Sequence, residues 1–374
     1  MAQMNFLTQC TFDFGALAQL PKVLKANGAR RPFVVTDAGL KANGLLDRLL
    51  SALEEAPAGV FSETPPNPTE TASAAAAAAY RAAGADSIIA FGGGSSMDLA
   101  KAMGLMATHE GPFERLGSSV RGTRHIGKIP PLVAVPTTAG TGSEVSVGAV
   151  IILENGRKET FISPHLVPIA AVCDPELTLG LPPLLTAATG MDAMTHCIEA
   201  VLTPVVNPPA EAIGLDGAER VGRFLERAVR DGGDREARWH MMMGSFQGAL
   251  AFVKGLGAVH GLSHALGRNS ELKLHHGTLN AVILPHALAM IGDAAEEKLA
   301  RLRRNLGLAA GADLPQFIAD LNARIGLPTG LKAMGVTEAH WPAARDYAVS
   351  DLATLTNAVP FDAAKYDELF ARAL

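Results

Sequence analysis

At 374 residues the chain is longer than one hydrophobic core usually spans, so two domains are expected. Apolar residues make up 48%, enough for two interiors. A formal net charge of −5, a pI near 6.1 and no long basic run exclude nucleic acid or an anionic membrane as the main partner and leave a small molecule. The amino-terminal MAQMNFLTQCTFDF has neither a basic leader nor an extended apolar core, which reads as no secretory signal, and no apolar run is long enough for a membrane span. Cys10, Cys173 and Cys197 are an odd number without CxxC spacing, which points to a reducing cytoplasm rather than a disulfide framework.

From residue 30 to about 180 short apolar runs alternate with helical stretches: RPFVVTDAGL, the alanine-rich ETASAAAAAAYRAAG, DSIIAFGGGS and PPLVAVPTTAG. That order predicts a Rossmann-like parallel sheet with helices on its faces, over residues 1–180. Asp37 ends the first of these strands, where a carboxylate accepts hydrogen bonds from ribose hydroxyls and repels a 2′-phosphate, favouring NAD over NADP; a helix cap explains it equally well. SIIAFGGGSSMDLAKAM reads as a buried strand, a tight turn over Gly92, Gly93, Gly94 and Ser95, and a helix entered near Ser96. Such a turn brings backbone N–H groups and a helix amino end toward a phosphate, although an ordinary strand-to-helix turn looks the same. AVPTTAGTGSEVS adds a strand followed by Thr137, Thr138, Gly140, Thr141, Gly142 and Ser143, suited to phosphate, ribose or an amide-bearing ring, or forming a plain Ser/Thr loop.

After LGLPPLLT, near residue 181, helical spacing takes over, so residues 181–374 are expected to be mostly helical. Asp192 and His196 in GMDAMTHCIEA are four apart and project from one helix face. His260 and His264 repeat that interval, and His276 precedes Gly277 and the apolar AVILPHALAM. Three imidazoles and a carboxylate from Asp192, His196, His260 and His276 suit ferrous iron or zinc, whereas any single histidine among apolar neighbours is usually a hydrogen-bonded core or surface residue. His109, His125, His165, His240, His286 and His340 lack a donor at such spacing and are left unassigned. Cys197 would point about 100° away from the neighbouring ligand, as small core filler. With phosphate-type loops in the first half and metal donors in the second, an active site in the crevice between domains is expected.

In order, VVTDAGL, GGGSSMDLAK, PTTAGTGSEVS, GRKETFISPHLVP, GMDAMTHCIEA and GLGAVHGLSHALG with HHGTLNAVILPHAL closely resemble the iron-containing (group III) alcohol dehydrogenase family. The resemblance implies a dehydroquinate-synthase-like fold and NAD(P)-linked interconversion of alcohols with aldehydes or ketones, NAD being preferred, with Fe2+ (or Zn2+) at Asp192, His196, His260 and His276. It further implies a pyrophosphate loop at Gly93, Gly94 and Ser95 with Asp98 beside it, and a nicotinamide-side loop at Thr137, Thr138 and Thr141. Lys158 would lie near the nicotinamide ribose, His264 would face the reaction site without binding metal, and Phe252 would line the substrate pocket. Oligomers are common among relatives, which makes a homo-oligomer, a dimer, the expected state. One departure from the family pattern is AFVKGLGAVH, where Lys254 replaces an asparagine-containing stretch; it is read as pointing to solvent, with a substrate carboxylate as the other use.

In the expected mechanism the metal favours deprotonation of the alcohol, hydride passes to nicotinamide, and His264 relays the proton or orients a water or ribose hydroxyl. The alternatives are a maleylacetate reductase, which typically lacks the full metal set, a hydroxyacid dehydrogenase, a dehydroquinate-synthase-type lyase and a non-catalytic nucleotide-binding protein.

Overall fold

The computed structural model describes residues 8–269 and 271–374, which divide into two compact units. One unit comprises residues 8–138 and 143–178; the other comprises 139–142 and 179–374.

The first unit carries strands β1 (Gln9–Phe12), β2 (Pro32–Val35), β3 (Gly59–Phe61), β4 (Ser87–Gly92), β5 (Leu132–Pro136), β6 (Gly148–Ile152), β7 (Lys158–Ile162) and β8 (Ala170–Cys173). Its helices are α1 (Leu20–Ala26), α2 (Ala38–Ala42), α3 (Leu45–Ser51), α4 (Glu70–Ala82) and α5 (Gly94–Thr108). Six strands form a parallel sheet in the order β1-β8-β5-β4-β2-β3, with Phe33 opposite Ile88 and Ala90 opposite Ala134. Residues of alternating parity face opposite cores: Val34, Ile89, Phe91, Val133 and Val135 on one side, Phe33, Val35, Ile88, Ala90, Leu132 and Ala134 on the other. Burial on both faces is why these strands read as unbroken apolar runs. The alanine-rich α4 buries Ala76, Ala77 and Tyr80 against the second face, as its small-residue stripe predicts.

A separate antiparallel hairpin joins β6 to β7 through Asn155-Gly156, with Gly156 at φ 78°. β1 is a short strand whose direct partner, β8, lies about 160 positions away; the sulfurs of Cys10 and Cys173 come within 3.6 Å across that pair and remain unbonded thiols.

The second unit is helical: α6 (Pro183–Leu202), α7 (Pro208–Arg230), α8 (Arg235–Ala251), α9 (Ala258–Leu266), α10 (His276–Ile291), α11 (Glu296–Asn305), α12 (Leu314–Arg324), α13 (Trp341–Ser350) and α14 (Ala363–Ala373). The fold is the one expected, a parallel-sheet unit and a helical unit. α6 is buried continuously from Thr186 to Leu202 and packs on α7, α8 and α10. A helix apolar on every side belongs in a core, so the two polar ligand candidates it carries are interior by construction. Cys197 fills that core as expected, wholly buried. Among the described residues, no helix is long and apolar enough to cross a membrane.

Candidate metal and nucleotide sites

Asp192 and His196 lie one turn apart on α6, His260 is the third residue of α9, and His276 opens α10. The Asp192 Oδ1 is 3.7 Å from His196 Nε2, 3.8 Å from His260 Nε2 and 3.6 Å from His276 Nε2. Asp192, His196 and His260 are buried, and one donor atom from each lies within 4.8 Å of the others; His276 is half-buried and joins through Asp192. His275 instead caps α10, its Nδ1 accepting from the Thr278 N–H at 3.4 Å.

Glu199, one further turn along the same α6 face, was not singled out from the sequence. Its Oε2 accepts from His260 Nδ1 at 2.6 Å and its Oε1 accepts from the Val259 N–H at 2.8 Å. One carboxylate therefore starts α9 and fixes the tautomer of the imidazole that α9 carries, leaving the Nε2 lone pair facing Asp192. Burial pushes the Glu199 carboxyl up to about 7 against the N–H groups that favour its charge, and holds His260 well below the usual imidazole range. Gly257 precedes α9 because a Cβ there would come within 2.6 Å of Glu199 Oε1 and 2.5 Å of Asn357 Oδ1. The spacing Asp192, His196, Glu199 (i, i+4, i+7) is the signal that could have found Glu199.

His264 stacks on His276 with ring centroids 5.3 Å apart, and its Nδ1 pairs with Asp351 Oδ2 at 3.0 Å. Burial pushes the Asp351 carboxyl up, but His264 and the Ala353 N–H outweigh it and hold it below the usual range. Phe252 meets His196 edge-on at 5.0 Å. Lys254 does not point to solvent: it is 2% exposed, and its Nζ donates to Val201 O at 3.2 Å, Thr203 O at 3.0 Å and Glu211 Oε2 at 2.9 Å. It pairs with the half-buried Glu211 carboxylate and with buried carbonyls at the carboxyl end of α6, so neither sequence reading of Lys254 stands.

In the sheet unit, Gly92 has φ 146° and a Cβ there would lie 2.6 Å from Ser96 Oγ, so only glycine allows the turn out of β4. α5 begins at Gly94, two residues before the expected Ser96, with Gly93 as N-cap. No side chain caps it and no acidic residue occupies its first turn, the condition that leaves amide N–H groups available to an anion. Ser95 donates to Pro66 O at 2.6 Å. Asp37 caps α2 through the Leu40 N–H at 3.0 Å and accepts from Ser96 Oγ at 3.3 Å. Asp98 accepts from Ser143 Oγ at 2.7 Å and from the Val150 N–H at 2.9 Å, while removal from water pushes its carboxyl up. Thr137 bonds through its N–H to Gly92 O at 3.0 Å, Thr138 lies against Gly93, and Lys158 begins β7 near Asp98. Thr141 belongs with the helical unit, in the segment 139–142.

The donor set suits a divalent cation. The imidazole of His260 is kept neutral by burial, its tautomer is set by Glu199, and its Nε2 converges with those of His276 and His196 on one carboxylate oxygen. Among the described residues no lysine or arginine ion-pairs with that carboxylate.

The sequence pattern of the iron-containing alcohol dehydrogenase matches residues 8–175, and that of the family's C-terminal domain matches residues 186–374. The chain belongs to the iron-containing alcohol dehydrogenase family, and is an NAD-linked oxidoreductase of that class. It is similar to the 4-hydroxybutyrate dehydrogenase of Cupriavidus necator, 50% identical with all of both chains covered. Among solved structures it resembles a 1,3-propanediol oxidoreductase (TM-score 0.92, 32% identity, all of both chains). It also resembles a sulfoacetaldehyde reductase from Bifidobacterium kashiwanohense in complex with NAD+ (TM-score 0.89, 27% identity, 100% of this chain and 98% of that one).

Proposed function

We propose that this chain interconverts a short hydroxy acid of the 4-hydroxybutyrate type and its aldehyde with NAD(H), using iron, or zinc, held by Asp192, His196, His260 and His276. The observation that carries the metal part is the convergence of three imidazole nitrogens on Asp192 Oδ1 in a buried centre. The substrate class is supported by 50% identity over the whole chain to a dehydrogenase of that acid.

When bound, the cation acidifies the alcohol hydroxyl and polarises the carbonyl in the reverse direction, and nicotinamide carries the hydride. The chain's own residues do the rest. Glu199 orients His260. Phe252, against His196, walls the substrate side with an apolar face. His264, held at Nδ1 by Asp351, presents Nε2 to take or return the hydroxyl proton. Gly93, Gly94 and Ser95 hold the pyrophosphate on uncapped N–H groups, with Asp98, Thr137, Thr138, Thr141 and Lys158 toward the ribose and nicotinamide and Asp37 at the adenosine ribose. Lys254 takes no part in substrate binding, because Glu211 already occupies it. A homodimer in the cytoplasm completes the reading, supported by the family resemblance and the cysteine pattern.

Elemental analysis of purified protein, paired with NADH formation on 4-hydroxybutyrate, 1,3-propanediol and methanol, tests it. The expected result is about one iron or zinc per chain and kcat/KM highest for the hydroxy acid. Equal or better turnover of the diol would overturn the substrate class, and protein that turns over without metal would overturn the site.

A further inference from the structure

Asn280 lies wholly buried on α10, one turn after His276. Its Nδ2 is 2.8 Å from Asp192 Oδ1, 3.3 Å from His260 Nε2 and 3.2 Å from His276 Nε2, so one amide group meets acceptors carried by α6, α9 and α10. Its Oδ1 is buried without a partner among the described residues. Turning the amide over would set that oxygen against the Asp192 carboxylate. The inward NH2 is therefore fixed by chemistry, even though it strands a carbonyl oxygen.

We infer that the Asn280 amide is a stand-in for the cation: in the metal-free chain its N–H groups engage the lone pairs that a metal takes when bound, and so keep three helices in register. This rests on the metal reading above. An amide that engages the ligands only while they are free stabilises the empty form over the loaded one, and by linkage it opposes metal binding. Asn280 is thus a positioning residue for the empty site.

The test compares thermal unfolding of chelator-stripped and Zn2+-loaded protein, and Zn2+ affinity by chelator competition, for the wild type, Asn280→Leu and Asn280→Asp. In Asn280→Leu the stripped form should unfold at lower temperature while the loaded form changes less, and the Zn2+ dissociation constant should fall by about tenfold. Asn280→Asp keeps the shape and replaces the donor by another oxygen, so it should move both readouts further in the same direction and remains measurable with Zn2+ present if the leucine variant does not fold. Equal losses in both forms, or weaker Zn2+ binding in either variant, would overturn the role of Asn280 alone. A wild type that shows no Zn2+-induced shift would overturn the metal reading as well.

Discussion

Two buried polar centres, one from each unit, are built on opposite plans. In the sheet unit, Lys101 of α5 is fully buried and its Nζ lies within 3.1 Å of five oxygens: the carbonyl and hydroxyl of Ser143, those of Ser146, and Gly148 O. In the helical unit the acceptors of Asp192, His260 and His276 converge on the neutral Asn280 amide. Buried acceptors need donors, and a buried charge needs an opposite one or a metal. Where the chain supplies its own cation the centre is structural; where it supplies donors of metal-binding type, the proposed partner is the divalent cation that Asp192, His196, His260 and His276 would hold.

The comparison is broken most directly at His260. His260→Ala should abolish metal binding and lower turnover by at least about a thousandfold, ~4 kcal/mol of transition-state stabilisation, while NAD(H) binding persists. Metal content and NADH fluorescence titration check this, and unchanged metal content rejects the assignment.

Lys101→Met is the matching change in the other unit. It should cost about 3–5 kcal/mol in urea unfolding at neutral pH, with the oxygens of Ser143, Ser146 and Gly148 left without their donor, and a loss under about 1 kcal/mol would deny that centre a structural role. The pH dependence sharpens the point. Burial pushes the Lys101 ammonium down to about 8, against the pull of Asp98 and Glu144, while the unfolded chain keeps the ordinary 10.5. Between those values the unfolded chain holds more protons, so this group's contribution rises with pH from about 8 to 10.5 and is lost as pH falls through 8. The difference between wild type and variant should trace that window, and a flat difference would contradict it.

The smallest effect is expected at Asp37. Asp37→Ser keeps a capping oxygen for α2 and removes the charge, so stability should hardly change. The NADP to NAD ratio of kcat/KM should rise by about tenfold, ~1.4 kcal/mol. An unchanged ratio leaves Asp37 as a cap only.

What was legible in the sequence follows from range. The apolar runs of β2, β4 and β5, the helical α4 and the pair Asp192 and His196 are local patterns, and periodicity reads them. Asp351 and Glu199 acquire their roles from partners 87 and 61 positions away; spacing on α6 places Glu199 on the face of Asp192 and His196 but does not name its partner, and no local pattern marks Asp351. Lys254 misled for the same reason, since its carboxylate, Glu211, sits 43 positions upstream on another helix. The β6–β7 hairpin carries a local signal in Asn155-Gly156. α5 starts at Gly94 rather than near Ser96 because the chain already turns at Gly92, leaving Gly93 as N-cap and glycine at the first helical position.

Glu199 grips both the first amides of α9 and the ring of His260 with a single carboxylate. Fraying at the start of that nine-residue helix and release of its imidazole are therefore one event. Loss of that carboxylate would loosen the histidine and the first turn of its helix together, so occupancy of the proposed metal centre would depend on local order in the backbone.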